Sequence, residues 1–103
     1  MRRPRVLLAD PFAILLEALR RLLEPEFEVT GAVEDGRSLL ASARELRPDL
    51  VLLETSLPLV NGLDAAGQLR ALVPRARLVF LSTDQAAATV EEAFRRGASA
   101  YVL

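Results

Sequence analysis

Short apolar segments alternate with amphipathic segments along the chain, and this alternation constrains the fold more than any other feature. The predicted strands cover residues 5–10, 27–33, 49–53, 77–82 and 99–103, and the predicted helices cover residues 12–24, 37–47, 62–73 and 85–96. A β-α alternation of this kind predicts an α/β fold with a doubly wound, five-stranded parallel sheet. The strands are continuously apolar, which is typical of strands covered on both faces.

The element count predicts an incomplete cover for this sheet. Four helices cannot shield both faces of five strands evenly, and the last predicted element is a strand ending at Leu103. We therefore expect an apolar surface near the fifth strand, covered by a C-terminal helix absent from this chain or by a partner chain. We expect one domain over residues 1–103, trimmed at its C-terminal end.

The composition excludes several classes of function. The chain is 51% hydrophobic, carries a net charge of −1 and contains neither His nor Cys. Thiol chemistry, disulfides and the commonest metal ligand are therefore excluded. No apolar run approaches the length of a membrane span, and the arginines are spread rather than clustered in one stripe. We expect a cytoplasmic domain that does not itself bind nucleic acid or membranes.

Polar side chains follow three of the predicted strands where each strand ends. These are Asp10, Glu54 and Ser82, after the first, third and fourth strands. Carboxylates beside a hydroxyl can hold a hard cation such as Mg²⁺, and a carboxylate near Mg²⁺ can accept a phosphoryl group. Strand-end polar residues are nevertheless common in α/β folds. Their spacing alone favours helix capping by Asp10, a solvated Glu54 and a backbone contact for Ser82.

The motifs taken together resemble the receiver domain of bacterial response regulators over the whole chain, most closely the branch that precedes helix-turn-helix DNA-binding domains. The matching segments are Val-Leu-Leu-Ala-Asp at 6–10, Asp-Gly-Arg at 35–37, Arg-Pro-Asp-Leu-Val-Leu-Leu-Glu at 47–54, Pro58, Asn-Gly-Leu at 61–63, Leu-Ser at 81–82 and Gly-Ala-Ser-Ala-Tyr-Val-Leu at 97–103. This resemblance implies a flavodoxin-like strand order of 2-1-3-4-5 with five helices, of which the fifth is missing from this chain.

The resemblance also implies roles for individual residues. In the family, an Asp at the position of Glu54 accepts phosphate from a histidine kinase, and an acidic pair at the position of Asp10 helps to hold Mg²⁺. Ser82 matches the Ser or Thr that contacts the phosphoryl group. Tyr101 matches the aromatic switch residue, although packing in the core is an equally good interpretation of a Tyr at a strand end. A Lys after the fifth strand completes the family's site.

The sequence departs from the family pattern at three of these points. The acidic pair is Asp10-Pro11, the phosphoacceptor position is Glu54, and the chain contains no Lys. The additional methylene moves the Glu54 oxygens by about 1.5 Å, which impairs a transfer that depends on positioning. We therefore predict an atypical receiver in which Mg²⁺ binding through Asp10 and Glu54 is weak or absent, with no other cofactor.

The predicted function is that of a binding module in signal transduction. We expect a homodimer, or contact with an output domain of the same regulator that binds DNA. Glu54 either imitates a phosphorylated Asp, with Ser82 and Tyr101 turned inward, or is an inert relic of the site.

Two alternatives remain open from the sequence. The first is a conventional Mg²⁺-dependent phosphoacceptor receiver switched by a histidine kinase. The second is an enzyme with a carboxylate site of Asp10, Glu54 and Asp84. The enzyme is disfavoured because the chain has no His, no Cys and no Gly-rich phosphate loop, and we predict that the domain is not an enzyme.

Overall fold

The computed structural model describes residues 2–103, in which five strands and four helices alternate. The strands are β1 (Arg5–Ala9), β2 (Glu28–Val33), β3 (Leu50–Leu53), β4 (Arg77–Leu81) and β5 (Ala98–Val102). The helices are α1 (Ala13–Leu23), α2 (Gly36–Leu46), α3 (Gly62–Leu72) and α4 (Ala87–Arg95). All nine predicted elements are present with the predicted type.

The strands form one parallel sheet in the order β2-β1-β3-β4-β5, which confirms the predicted fold. The register places Ala9 opposite Leu53 and Leu53 opposite Phe80. Because the strands are parallel, the residues that follow β1, β3 and β4 emerge at the same edge of the sheet. The sheet order thus brings Asp10, Glu54 and Ser82 to one edge.

The larger core lies between the sheet and the helices α2, α3 and α4. Phe80, Leu53 and Val51 point from the sheet into this core and are almost fully buried. Leu39 of α2 and Leu69 of α3 meet them with no exposed surface. Burial of large aliphatic and aromatic side chains contributes about 1.5–3 kcal/mol each, so this layer supplies much of the stability.

The opposite face of the sheet is covered by one helix. Leu16 of α1 packs on Val6 and Leu8 of β1, and this smaller core extends over β2 and β3. Beside it, the β4–β5 half of this face carries no helix within residues 2–103. Val102, at the end of β5, is 47% exposed, and Leu103 is 69% exposed. This agrees with the apolar surface expected near the fifth strand.

Two helices begin later than predicted. The first helix starts at Ala13, and its N-cap is Phe12 rather than Asp10, so the expected capping role of Asp10 is wrong. The fourth helix starts at Ala87 instead of residue 85. The side chain of Asp84 accepts hydrogen bonds from the Ala86 amide and the Thr89 hydroxyl, which holds the preceding turn outside the helix.

None of the helices in residues 2–103 is long and apolar enough to cross a membrane.

Candidate functional site

The loop between β3 and α3 fixes the backbone of Glu54 and Thr55. The amide of Gly62 donates a 2.8 Å hydrogen bond to the carbonyl of Thr55. A Cβ atom at Gly62 would lie 2.1 Å from the carbonyl oxygen of Glu54, so the first turn of α3 packs directly on the strand end. Asn61 caps this helix by accepting from the Asp64 amide at 2.9 Å. The loop therefore holds the acidic residue and its neighbour in one backbone position.

The carboxylate of Glu54 lies in a cluster with two hydroxyl groups. Its Oε1 atom accepts hydrogen bonds from Ser82 Oγ at 2.9 Å and from Thr55 Oγ1 at 3.0 Å. The two hydroxyl oxygens are 2.8 Å apart, which closes a triangle of three oxygens. Thr55 and Ser82 are 6% and 4% exposed, respectively. One carboxylate oxygen is thus held by buried donors, and such charge-assisted hydrogen bonds are stronger than neutral ones.

Thr55 is the residue of this cluster that the sequence reasoning missed. Side chains alternate between the two faces of a strand, so Thr55 would point away from Glu54 if β3 continued. The strand ends at Leu53, and the Gly62 contact turns the chain so that both side chains reach the same site. The sequence feature that could have indicated Thr55 is a hydroxyl residue directly after the acid at a strand end.

A second set of hydrogen bonds connects Ser82 with Tyr101. The amide of Asp84 donates to Ser82 Oγ at 3.1 Å, and the hydroxyl of Tyr101 donates to the carbonyl of Asp84 at 2.8 Å. The ring of Tyr101 stacks on Phe80 with centroids 5.8 Å apart. Tyr101 is therefore both a packing residue of the larger core and a hydrogen-bond partner of the β4–α4 loop.

Asp10 is buried at the end of β1, where it is 5% exposed. Burial raises the pKa of this carboxyl group above its ordinary value. The hydrogen bond from the Phe12 amide to Oδ1, 2.9 Å long, lowers the pKa in part, and the nearby charge of Glu54 raises it further. The carboxylate of Glu54 therefore lies close enough to Asp10 to act on its charge.

The arrangement is a poor fit for Mg²⁺, which prefers six oxygen ligands in octahedral geometry. Within residues 2–103, no group of three or more acidic side chains lies close enough together to hold a metal ion. Glu54 Oε1 is occupied by two hydroxyls and Asp10 Oδ1 by an amide. Pro11 stands where the family has a second acid and offers no side-chain ligand. The third acid of the enzyme alternative, Asp84, uses both side-chain oxygens in the turn that precedes α4.

A shallow cavity of about 200 Å³ opens beside the cluster. It is lined by Glu54 and Ser82 and by Leu15, Leu81, Thr83 and Leu103. Three leucines surround the polar atoms, so the approach to the carboxylate from this side is largely apolar.

Known proteins with the same fold and sequence pattern place the chain in a family. The model of the response regulator receiver domain matches residues 6–103. The transcriptional regulatory protein YxjL of Bacillus subtilis is 31% identical over 101 residues, which cover 96% of this chain and 46% of YxjL. The DNA-binding response regulator MtrA of Mycobacterium tuberculosis is 46% identical over 69 residues, which cover 67% of this chain and 30% of MtrA.

A solved structure extends the likeness to the whole fold. The signal receiver domain of the response regulator NarL from Mycobacterium tuberculosis superposes with a TM-score of 0.95 at 26% identity, covering 100% of this chain and 85% of that one. The chain spans about half the length of YxjL. Since both the sequence pattern and the strand order agree, the chain belongs to the response regulator receiver domain family, which serves two-component signal transduction.

Proposed function

We propose that this receiver holds a signalling-competent conformation through Glu54, without phosphorylation. The observation that carries the proposal is the 2.9 Å hydrogen bond from Ser82 to Glu54 Oε1. The resemblance assigns to Ser82 the contact with a phosphoryl group. In this chain the Oε1 atom of Glu54 takes the place of the phosphoryl oxygen as the acceptor for Ser82. This contact would hold Ser82 inward as a phosphate would.

The contacts of Tyr101 support the same proposal. Ser82 is linked through Asp84 to the Tyr101 hydroxyl by two hydrogen bonds. The resemblance assigns the aromatic switch to Tyr101, and its partly buried hydroxyl is directed into the β4–α4 loop. A state is favoured only by contacts that differ between two states, and the contact of Glu54 with Ser82 is one that an outward-turned Ser82 would lose.

Phosphorylation of Glu54 is disfavoured by the same geometry. In-line phosphoryl transfer depends on a positioned nucleophile and on Mg²⁺ that offsets the developing charge. The Oε1 atom of Glu54 accepts from two hydroxyls, and Pro11 removes one carboxylate from the metal site. We propose that Mg²⁺ binds weakly, and that no other cofactor is needed.

Exposed apolar side chains on the β4–β5 half of the sheet support a role in association. We propose that the apolar β4–β5 surface, which includes Val102 and Leu103, forms a homodimer contact. The output domain would then be a DNA-binding domain of the same regulator, since YxjL is a transcriptional regulatory protein and MtrA a DNA-binding response regulator. This domain itself would make no contact with nucleic acid.

The phosphoacceptor alternative is tested by chemical phosphorylation. The wild-type chain and a Glu54→Ala variant are incubated with acetyl phosphate and Mg²⁺, and their intact masses are measured. A receiver with an Asp phosphoacceptor is treated in parallel to show that the reagent is active. We expect no phosphoryl adduct on either chain. An adduct on the wild type that is absent from Glu54→Ala would show that Glu54 accepts a phosphoryl group, as the conventional receiver requires, and would contradict the proposal.

A further inference from the structure

The backbone of Thr55 is in contact with the first turn of α3. Its carbonyl accepts from the Gly62 amide at 2.8 Å, and its Cα would lie 2.8 Å from a Cβ at Gly62. Its side chain is 6% exposed and β-branched, so rotation about χ1 is restricted. The hydroxyl therefore occupies a defined position, and that position is within hydrogen-bond distance of both Glu54 and Ser82.

The number of hydroxyl protons in the cluster limits what the Thr55 hydroxyl can do. The three oxygens make three contacts of 3.0 Å or less, whereas Thr55 and Ser82 supply one hydroxyl proton each. With Glu54 ionised, both hydroxyls donate to Glu54, or one hydroxyl donates to the other, which donates onward to Glu54. Either way, the proton of Thr55 stays inside the cluster and stabilises the contact of Glu54 with Ser82.

Glu54 needs such a restraint because its side chain is long and only partly buried. A glutamate has three side-chain torsions, and ordering them costs conformational entropy. Without the Thr55 hydroxyl, Oε1 would keep Ser82 and the Ser56 amide, whose contact is 3.4 Å long, and the carboxylate would compete for water at the open side of the site. An adjacent, fixed hydroxyl lowers the cost of keeping the carboxylate turned toward Ser82.

We propose that Thr55 is a positioning residue that directs Glu54 toward Ser82 and so sets the conformation of the β4–α4 loop and Tyr101. This inference rests on the proposed function, because it assumes that the contact of Glu54 with Ser82 determines the signalling conformation. The inference adds Thr55 as the residue on which the contact of Glu54 with Ser82 depends. A hydroxyl is required at position 55, because a methyl group of the same size cannot donate a hydrogen bond.

The test uses the only tyrosine of the chain as its reporter. The chain has one Tyr and no Trp, so isotope-labelled tyrosine gives a single NMR signal set from Tyr101, which can be followed in Thr55→Val, Thr55→Ala and Thr55→Ser. Ser56→Ala is the matched control, because Ser56 is exposed and approaches Glu54 Oε1 through its backbone amide, at 3.4 Å, which the substitution keeps. Circular dichroism shows which variants are folded, and Thr55→Ala serves if Thr55→Val does not fold.

We expect Thr55→Val and Thr55→Ala to shift the Tyr101 signals or to split them into two sets. Thr55→Ser and Ser56→Ala should retain the wild-type signals. A purely structural role would lower stability in Thr55→Val without moving Tyr101, and unchanged Tyr101 signals in a folded Thr55→Val or Thr55→Ala would overturn the inference.

Glu54→Ala separates this inference from the function on which it rests. If Glu54→Ala moves the Tyr101 signals and the Thr55 variants do not, the inference about Thr55 fails while the proposed function stands. If Glu54→Ala leaves Tyr101 unchanged, the proposed function itself fails.

Discussion

The hydroxyl of Tyr101 donates a 2.8 Å hydrogen bond to the backbone carbonyl of Asp84, two residues beyond Ser82. Through the amide of Asp84, which donates to Ser82, this bond connects the end of β5 with the carboxylate of Glu54. An acidic side chain that follows the third strand and an aromatic residue on the fifth are thereby joined by hydrogen bonds across the edge of the sheet.

Removing the hydroxyl of Tyr101 should lower stability modestly. Tyr101→Phe keeps the stacking on Phe80 but leaves the carbonyl of Asp84 without this donor. We expect the free energy of unfolding, measured by urea denaturation, to fall by about 1 kcal/mol. Ser99→Ala, an exposed change on the same strand, should stay within about 0.5 kcal/mol of the wild type. Equal stability of Tyr101→Phe and the wild type would show that the hydrogen bond contributes nothing in solution.

Adding a methyl group at Gly62 should disrupt the loop that fixes Glu54. The new Cβ would lie 2.1 Å from the Glu54 carbonyl oxygen and 2.8 Å from Thr55 Cα, and backbone atoms cannot move aside easily. We expect Gly62→Ala to lower the free energy of unfolding by more than about 3 kcal/mol.

Gly67 offers a matched control on the same helix. A Cβ there meets only Arg96 side-chain atoms at 3.7 Å or more, an ordinary contact distance. Because Ala is a better helix former than Gly, Gly67→Ala should raise stability by up to about 1 kcal/mol. If both variants lose stability equally, the effect at Gly62 is not due to its contact with Glu54 and Thr55.

The buried carboxyl group of Asp10 should make stability depend on pH. Its folded-state pKa is raised above 3.8 because burial disfavours the charged form. Between the unfolded and the folded pKa the native state binds more protons, so its contribution to stability falls as pH rises through this window. Asp10→Asn removes this ionisation and keeps an oxygen that can accept from the Phe12 amide.

The matching measurement is urea denaturation of wild type and Asp10→Asn at acidic and neutral pH. We expect Asp10→Asn to be the more stable of the two at neutral pH, with a difference that shrinks as pH falls toward 3.8. A difference that is independent of pH would mean that Asp10 does not titrate as described.

The exposed apolar side chains of the β4–β5 surface should control association. Val102 lies on the β4–β5 surface and is 47% exposed, and Leu59 is 69% exposed but lies on the β3–α3 loop. Placing a charge in an apolar contact is unfavourable, so Val102→Glu should be monomeric in sedimentation experiments at tens of micromolar, while Leu59→Glu should retain the wild-type dimer. A wild-type chain that is only monomeric under these conditions would contradict the proposed homodimer.

The fold was predictable because its signals are local and repeat along the chain. Continuous apolar runs between Pro and Gly residues mark strands buried on both faces, and parallel strands necessarily bring Asp10, Glu54 and Ser82 to one edge. The helix starts were less predictable, because Asp84 bonds the Ala86 amide and Thr89 and holds a turn that periodicity alone does not reveal.

The participation of Thr55 in the site could not be predicted from the sequence, for a different reason. Its direction depends on where β3 stops and on a hydrogen bond with Gly62, seven residues away in sequence. The contact between Thr55 and Ser82 joins residues that follow two different strands. A strand pattern predicts neighbouring strand ends without predicting which hydroxyl faces which oxygen.

The most direct test of the central claim is a titration of the wild-type chain with beryllium fluoride and Mg²⁺, followed through the NMR signals of Tyr101. Beryllium fluoride imitates a phosphoryl group on an Asp in a conventional receiver. If Glu54 already holds Ser82 and Tyr101 in the signalling conformation, the Tyr101 signals will stay unchanged throughout the titration. A saturable shift of these signals to a new position would contradict the claim, because it would show that the site still binds a phosphoryl mimic and switches in response.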